Sequence, residues 1–394
     1  LHSFPTRRSS DLPMGRWPDG SLRWVLLDVL VGKNERGNYR LLYGGKVNAP
    51  AQEAKDFIVK GNGKLEMGNG IVKVKWNIGK DGRPNDLEIG TEGGKKTVRN
   101  IEPYMFVGSR KLKAAWKEGR WLSGSSRRSE MEISGELVAD DGFRYGSCRM
   151  RIAMHADSPL LRVLYTVVNE RGEAVPEDRP DTDKVKSTGG LVGGTRPLTA
   201  VVDTYGLMLK CDVRDSRISD DGWICAGSGS GWVTGYLRYF RHIWPAGLKT
   251  DENGMDFILF KKGDPRLKSY STYPGEAKTH EIWLAVSGSR PGDNLCESLS
   301  KIAETPVRLD TSGLIRESFV WGEMPVISES ENREIYAMLV EKALYPYYSN
   351  TLKGIRHYGG YAGGLNFYWN GLDSMYKLYA MTGERKWYDM AERS

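Results

Sequence analysis

The sequence contains few cysteines and histidines and no long apolar run. Its 394 residues include four Cys and five His, and the cysteines have none of the short spacings typical of structural zinc sites. Residues 24–31, the longest apolar segment, include Asp28 and are far shorter than the roughly 20 residues of a membrane span. We therefore expect no zinc finger, no small disulfide scaffold and no transmembrane segment.

Short catalytic and nucleotide-binding motifs are also missing. The sequence contains no P-loop, no G-x-S-x-G and no H-E-x-x-H. Its formal net charge of +7 is spread along the chain without a block of Lys or Arg. This pattern favours a groove for an acidic ligand over a nucleic-acid-binding arm, and a merely soluble basic surface is the open alternative. We expect single buried thiols; the alternative is a Cys211–Cys225 pair across a hairpin.

Both ends of the sequence suggest a fragment. Residues 1–12 read as the conceptual translation of a sequencing adapter, so we exclude them from the natural protein. Residues 13–50 are too few to form a core and are expected to be the remnant of an upstream domain; the alternative is that they add strands to the sandwich. The true start, with any export signal, would then lie outside this sequence.

The central region has the turn signals and short strand-like runs of an antiparallel β protein. From Ile71 to Trp76, apolar and polar residues alternate with the period of two expected of a strand. We predict a large antiparallel β-sandwich over residues 51–305. Seven turn dipeptides separate short runs rich in Val, Ile, Tyr and Trp: Asp19-Gly20, Asn62-Gly63, Asn69-Gly70, Asp81-Gly82, Asp141-Gly142, Asp221-Gly222 and Asn253-Gly254.

A helical period replaces this alternation after about residue 304. We predict that residues 306–394 form the first helices of a larger helical domain, because an amphipathic helix needs neighbours to bury its apolar stripe. A third helix would start at Glu384. The signals are a capping box at Ser328 and Glu331, a first stripe of Ile335, Met338, Leu339 and Ala343, and a second of Tyr368, Leu372, Met375, Tyr376 and Tyr379 before Gly383.

Residues 238–245 carry the first candidate binding group. If they form a strand, Arg238, Phe240, His242 and Trp244 share one face. Arg binds a carboxylate through two hydrogen bonds, Trp stacks on a sugar ring and His moves a proton near neutral pH. The segment thus suits an acidic sugar, and an ordinary strand surface is the equally weighted alternative.

Two further groups are candidates on the strands. Lys278 and His280 share one strand face, where a Lys of lowered pKa would serve as a base. Exposure at the start of a strand is the favoured alternative for Lys278. Arg149 and Arg151 alternate with apolar residues and form either a basic sheet face or, as we favour, only the solvated side of the sandwich.

A last candidate group lies between two predicted helices. His357 and Tyr358 would act as base and acid there, and Asn366 or Asn370 would hydrogen-bond a carboxylate. Aromatic packing between the helices is the alternative and is expected to account for part of the group.

The order of these segments resembles a known family, the YetA-like exo-rhamnogalacturonan lyases of polysaccharide lyase family 26. The resemblance covers nearly the whole chain after residue 12, although Gly360 stands where the family has an acidic residue. It rests on W-P-D-G-S-L-R-W at 17–24, the strands at 149–152 and 161–166, residues 238–245, A-K-T-H-E at 277–281, His357-Tyr358-Gly359 and Thr382-Gly383.

The resemblance implies an architecture and an activity. The architecture is a small N-terminal RIFT-like β-barrel, here reduced to residues 13–50, then the central β-sandwich and an (α/α) toroid. The activity is cleavage of rhamnogalacturonan, an acidic pectin backbone, by β-elimination. Calcium would be a structural ion, as in some members. Such a protein would be extracytoplasmic, in the periplasm or secreted, with an acidic polysaccharide or oligosaccharide and no nucleic acid as partner.

Elimination requires that the charge developing at the uronate be neutralised by converging cationic groups. Two other functions stay open, a non-catalytic carbohydrate-binding protein and a glycoside hydrolase, which would need two facing carboxylates. Asp373 is the only acidic residue that we expect near the candidate groove, and one carboxylate is not a pair.

Our assignments for elimination are Arg238 and Arg241 as carboxylate clamps, Lys278 or His242 as base, His357 and Tyr358 as partners from the helical side, and Trp244 and Trp321 as sugar platforms.

Overall fold

A computed structural model describes most of the chain between residues 12 and 393. The described ranges are 12–16, 22–26, 65–78, 84–91, 96–124, 128–170, 200–265, 267, 270–272, 275–305, 310–319, 321–327, 332–338, 342 and 371–393.

Strands dominate these ranges up to residue 287. The first ten are β1 Leu12–Arg16, β2 Leu22–Leu26, β3 Leu65–Gly68, β4 Val72–Ile78, β5 Pro84–Thr91, β6 Lys96–Val107, β7 Arg110–Gly124, β8 Arg128–Ala139, β9 Arg144–His155 and β10 Leu160–Val168. The next nine are β11 Ala200–Val202, β12 Thr204–Cys211, β13 Asp215–Ile218, β14 Trp223–Ser228, β15 Gly231–Leu237, β16 Gly247–Asp251, β17 Gly254–Lys261, β18 Tyr270–Thr272 and β19 Ala277–Ser287.

Helices follow the last strand. They are α1 Asp293–Glu304, α2 Ser312–Glu317, α3 Arg333–Tyr336, α4 Gly371–Thr382 and α5 Arg385–Arg393. No helix of the described ranges is both long and apolar enough to cross a membrane.

Fifteen of the strands form one antiparallel sheet. Its main order is β13-β14-β15-β19-β10-β9-β8-β7-β6-β12-β17-β16, and β5, β4 and β3 continue from β6 as a branch. Strands far apart in this order touch: β15 contacts β6, β19 contacts β5, and β14 contacts β17. The sheet therefore folds over on itself into two packed layers, which confirms the antiparallel β-sandwich.

The interior of the sandwich follows from alternation along each strand. On β10, Leu161, Val163, Tyr165 and Val167 are buried, and the residues between them are more exposed. Val72, Val74 and Trp76 of β4 are likewise fully buried, as their period of two predicts. Side chains of successive strand residues point to opposite faces, so one face of each strand builds the core.

The turn dipeptides lie where the sequence predicts them. Asn69-Gly70 connects β3 to β4, Asp141-Gly142 connects β8 to β9, and Asp221-Gly222 precedes β14. Asn253-Gly254 ends the turn before β17. The glycines of these four pairs all have positive φ, between 80° and 155°, which a side chain would resist. The other three dipeptides lie outside the described residues.

The helical predictions have a mixed outcome. Helices α4 and α5 are confirmed, with Met375, Tyr379 and Trp387 buried in a separate helical core. The stripe through Ile335 and Met338 is wrong for the described residues, because their exposed fractions are 46% and 58% and the buried residue of α3 is Tyr336. The capping box lies outside the described residues. Helix α1 was not predicted.

The two outer parts of the expected architecture stay predictions. Strands β1 and β2 pair with each other in a hairpin, which by itself does not form a barrel. Helices α2, α4 and α5 share one core but do not by themselves form a toroid.

Asn69 offers a test of the turn chemistry. Its Oδ1 accepts hydrogen bonds from the N–H groups of Ile71 and Val72, and its Nδ2 donates to the carbonyls of His155 and Ser158 at 2.8 and 2.7 Å. We expect Asn69→Ala to lower the free energy of unfolding by about 2 kcal/mol, because partly buried groups lose their partners. Asn253→Ala, at an exposed turn, should change it by less than about 0.5 kcal/mol in the same urea titration. Equal effects would contradict this account.

Candidate functional site

The outer face of the sandwich carries a dense group of arginines. On β9, Met150, Ile152 and Met154 fill the core, so Arg149 and Arg151 point outward. Strands β7, β8, β10 and β19 continue this surface. We call it the arginine face and define it by Arg120, Arg128, Arg149, Arg151, Arg162 and Arg238 with the carboxylates of Glu130, Glu132 and Glu281.

Strand register places these groups in rows across the sheet. Glu132 lies opposite Arg120 on one side and Arg151 on the other. Arg151 lies opposite Leu164, which in turn lies opposite Glu281. Neighbouring strands are about 4.8 Å apart, so this row crosses five strands and spans about 20 Å.

Glu132 binds one half of the arginine face. Its Oε1 accepts a hydrogen bond from Arg120 Nη2 at 2.7 Å, and its Oε2 accepts one from Arg151 Nε at 2.5 Å. Arg149 Nη1 lies 3.9 Å from the same Oε2. Burial alone would raise the pKa of Glu132, but the hydrogen bonds from Arg151 and Arg120 hold that pKa below its usual value.

Glu281 binds the other half. Its Oε2 accepts hydrogen bonds from Arg162 Nη2 at 2.8 Å and from Arg238 Nη1 at 2.9 Å, and Trp283 donates to Oε1 at 2.7 Å. Against the effect of burial, the Arg162 hydrogen bond and the charges of both arginines lower the pKa of Glu281. Arg238 is itself buried, and despite that burial the charge of Glu281 raises its pKa.

The arginine face has more cations than anions. Its six arginines face three carboxylates, and Glu118 adds a fourth negative charge in the row of Arg149 and Ser134, which leaves a surplus of two positive charges at neutral pH. The side chains of Arg149, Arg151 and Arg162 are 43%, 35% and 32% exposed, so solvent and ligands reach them. The crevice between Arg151 and Arg162 has no room for a water molecule, and Arg162 Nε is buried in it without a hydrogen-bond partner among the described residues, so a ligand would contact the outer surfaces of these guanidinium groups. This arrangement suits an anion that accepts several hydrogen bonds.

Residues 238–245 are not the strand that we predicted. Strand β15 ends at Leu237, and the chain then forms consecutive turns in which Tyr239 has a φ of 64° and the Trp244–Pro245 peptide is cis. Arg238, His242 and Trp244 therefore do not share a strand face. Glu304 of α1 instead anchors the turn, since its Oε1 accepts hydrogen bonds from Tyr236 Oη and Tyr239 N, both at 2.5 Å.

The turn still adjoins the arginine face. Arg238 joins the two directly, because it shares Glu281 with Arg162. His242 and Trp244 are partly buried in the turn, and Arg241 is exposed and ion-paired with Asp221. Trp321 lies between α2 and α3 and is 36% exposed.

Lys278 lies on the other side of its strand. It is 6% exposed, faces the interior of the sandwich, and its Nζ has no hydrogen-bond partner among the described residues. It borders a cavity with room for about one water molecule. The expectation of an exposed strand end is wrong for this residue. Tyr145, Tyr205, Tyr270, Thr272 and Glu276 also line this cavity.

His280 is buried next to Lys278. Its Nε2 lies 2.7 Å from Tyr205 Oη. Lys278 and His280 are both buried, which confirms that these two residues share one face of β19. Burial lowers the pKa of His280 to about 3 and, acting against the charge of Glu276, lowers the pKa of Lys278 to about 7. Both groups are therefore mainly uncharged in weakly alkaline solution.

Lys278 and Arg238 do not converge on one groove. Residues 278 and 281 of β19 differ by an odd number, so Lys278 points into the core and Glu281, with Arg238, points outward. A sugar ring does not fit in a cavity of one water, so a polymer does not reach the Lys278 amine. We therefore do not retain Lys278 as the base.

The remaining assignments fall outside the described residues. His357, Tyr358, Asn366 and Asn370 all lie in residues 343–370, and their roles stay predictions. Calcium also stays a prediction: within the described ranges, no three His, Cys, Asp or Glu side chains gather in a way that suits a metal. The carboxylates of Glu132 and Glu281 are bound by arginines instead.

The sequence pattern predicted only part of the arginine face, and only as a solvated surface. Arg149 and Arg151 were recognised as outward-facing and interpreted as the solvated side, and Arg120 and Arg128 were not singled out. A usable signal exists, because Arg128, Glu130 and Glu132 recur with a period of two before the matching period of Arg149 and Arg151. On adjacent antiparallel strands with such alternation, side chains of opposite charge lie across from each other and form ion pairs.

Comparison with known proteins assigns this chain to no family. No family model matches the chain, and no curated protein is similar to it. A glycoside hydrolase family 38 protein from Enterococcus faecalis is 12% identical, with a TM-score of 0.36, over 67% of this chain and 33% of that one. An α-mannosidase from Enterococcus faecalis V583 is 11% identical, with a TM-score of 0.36, over 59% of this chain and 30% of that one.

A shorter protein is similar over nearly all of its own length. A putative aldose 1-epimerase from Escherichia coli K12 is 11% identical, with a TM-score of 0.30, over 57% of this chain and 98% of that one. This chain spans about a third of the length of the two longer proteins. At these scores we draw neither fold nor function from the comparison.

The buried amine of Lys278 predicts a pH effect on stability. Its pKa is about 7 in the folded protein against an ordinary 10.5, so the unfolded chain binds more protons between these values and folding becomes more favourable as the pH rises. We expect Lys278→Met to be more stable than wild type at pH 7, and this advantage to shrink by about 1.4 kcal/mol per pH unit up to pH 9.

Urea titrations at pH 7, 8 and 9 measure this difference. Lys113→Met, at an exposed position, is the control and should differ from wild type by a small amount that does not depend on pH. A constant difference between Lys278→Met and wild type over this range would contradict the lowered pKa.

Proposed function

We propose that this protein binds and cleaves an acidic polysaccharide of the rhamnogalacturonan type, by β-elimination at a uronate. The observation that carries the proposal is the arginine face, with its surplus of positive charge and its partly exposed Arg149, Arg151 and Arg162. Guanidinium groups bind carboxylates through paired hydrogen bonds. A polymer with regularly spaced carboxylates is a natural partner for a row of arginines about 20 Å long.

Elimination is the chemistry that such a face would assist. A base removes the proton from the carbon next to the carboxylate, a carbon–carbon double bond forms, and the glycosidic oxygen leaves and takes up a proton. Negative charge grows on the carboxylate during proton removal, so bound guanidinium groups stabilise the transition state more than the ground state. The partly exposed Arg151 and Arg162 would bind this carboxylate.

The assignments for this chemistry change with the structure. Arg238 and Arg162 both bind Glu281, but Arg238 is buried and positions the turn, whereas Arg162 is partly exposed and its outer surface faces solvent. We propose His242 as the base, because it lies in the turn that adjoins the arginine face. His357 and Tyr358 remain the proposed proton donors from the helical side.

A non-catalytic glycan-binding protein is the second candidate. The observation that favours it is the separation of Lys278 from the arginine face, because the described strands then gather cations without a buried base beside them. Hydrolysis is less well supported. A hydrolase needs a carboxylic acid of raised pKa at the ligand; on the arginine face the arginines lower the pKa of Glu132 and Glu281, and Asp256, whose pKa burial raises to about 6, lies on β17 outside this face.

The proposal extends to location. An acidic pectin backbone is outside the cell that degrades it, so we propose that the protein acts in the periplasm or after secretion.

Binding to the arginine face is directly measurable. We expect the chain to bind rhamnogalacturonan, and Arg151→Gln to weaken binding about tenfold, since one charge-assisted hydrogen-bonding group is worth about 1.4 kcal/mol. Arg110→Gln is the control, because Arg110 pairs with Asp141 in a turn away from the arginine face. Calorimetry at two salt concentrations, with neutral dextran as a second ligand, provides the measurement. Equal affinities of both variants would argue against this surface.

Cleavage distinguishes the two candidate functions. Elimination produces an unsaturated uronate, which absorbs in the ultraviolet, whereas hydrolysis and mere binding produce no such absorbance. We expect this absorbance to rise when the protein is mixed with rhamnogalacturonan. His242→Gln should lower the rate of this rise by at least about a hundredfold while binding is retained. Binding without absorbance in the wild type would leave the glycan-binding function.

A further inference from the structure

Helix α1 covers part of the outer face next to the arginine face. It packs against β14, β15 and β19. Its buried residues, Cys296, Leu299 and Ala303, are spaced three and four apart and so form one apolar stripe. Leu299 and Ala303 contact Tyr236, and Cys296 belongs to a small cluster with Cys225 and Trp232.

The two cysteines of this cluster face each other. On β14, Ile224 and Ala226 point into the main core, so Cys225 points to the opposite face, under α1. Both cysteines are fully buried as free thiols, and they pack in one small cluster with Trp232. Thr234 lies directly opposite Cys225 in the sheet. This arrangement brings a helix thiol and a strand thiol together across an element boundary.

The other two cysteines have different surroundings. Cys148 and Cys211 belong to the main core of the sandwich, where burial raises the pKa of each thiol to about 12. Neither belongs to the α1 cluster. A redox reaction of this protein is therefore expected to be selective for one pair.

We infer that Cys225 and Cys296 form a redox-sensitive pair that closes to a disulfide between β14 and α1. The co-reactant is a small disulfide such as oxidised glutathione. A thiolate of the pair attacks it and releases one reduced glutathione, and the second thiol then attacks the mixed disulfide and releases another. Two protein thiols are oxidised and one small disulfide is reduced, so atoms and electrons balance.

The bond would have a structural consequence at the turn that follows β15. Helix α1 ends with Glu304, whose carboxylate holds Tyr236 Oη and the N–H of Tyr239. A covalent link between α1 and β14 would therefore also fix the position of Glu304 and of the turn that carries Arg238 and His242. The inference does not depend on the proposed function, because the covalent state is measured directly.

Exchange in the folded protein should be slow. Both sulfurs are shielded from solvent, and burial raises the pKa of the Cys296 thiol, which lowers the fraction of reactive thiolate. The bond should therefore form during folding, or when α1 opens, and not by direct attack on the closed structure.

Disulfide mapping tests the pair in the full chain. The protein is unfolded, refolded in oxidised glutathione, alkylated in denaturant, digested and analysed by mass spectrometry. We expect one peptide that links Cys225 to Cys296, with Cys148 and Cys211 alkylated. A link between other cysteines, or four alkylated thiols after refolding, would overturn the inference.

Thermal unfolding provides a second measurement. The disulfide closes a loop of about 70 residues, so we expect the oxidised protein to have a Tm about 10 °C above the reduced one. Cys225→Ser and Cys296→Ser should each abolish the difference between oxidised and reduced samples, and Cys148→Ser should keep it. A wild-type Tm that does not respond to reductant, in a sample shown by mapping to be linked, would refute the structural role.

Discussion

Two carboxylates hold the outer face of this sandwich together. Glu132 and Glu281 each bind two or three arginines from neighbouring strands. Without them, the arginines on the two strands that flank each carboxylate, about 10 Å apart, would repel one another. Each carboxylate leaves positive charge in excess, so the same contacts that make the face stable also leave it ready to bind an anion.

Burial sets the chemical character of each charged group. The ionisable residues of the outer face keep their charge because each has a partner of opposite sign, which offsets the loss of water. Lys278 and His280 lie on the opposite face of the same strand, where burial favours their uncharged forms and, at Lys278, outweighs the charge of Glu276. The two faces of β19 therefore present opposite chemistry, a charged surface outside and a neutral polar cluster inside.

Helix α1 connects these surfaces to the turn after β15. Glu304 holds Tyr236 and Tyr239, and Arg238 in the same turn binds Glu281 of the arginine face. The helix, the turn and the sheet thus form one continuous set of contacts. The Cys225–Cys296 pair lies at the base of this set, where a covalent bond would fix the whole arrangement.

Local pattern was enough to predict the antiparallel sandwich, the turns at Asn69-Gly70 and Asp141-Gly142, and helices α4 and α5, because alternation and capping depend on near neighbours in the chain. It was not enough for the site. Residues 238–245 alternate like a strand, but Glu304, some 60 residues later, binds a series of turns instead. Which face of β19 is buried depends on strands paired far along the chain, so only the folded protein separates Lys278 from Arg238 and joins Arg162 to Glu281.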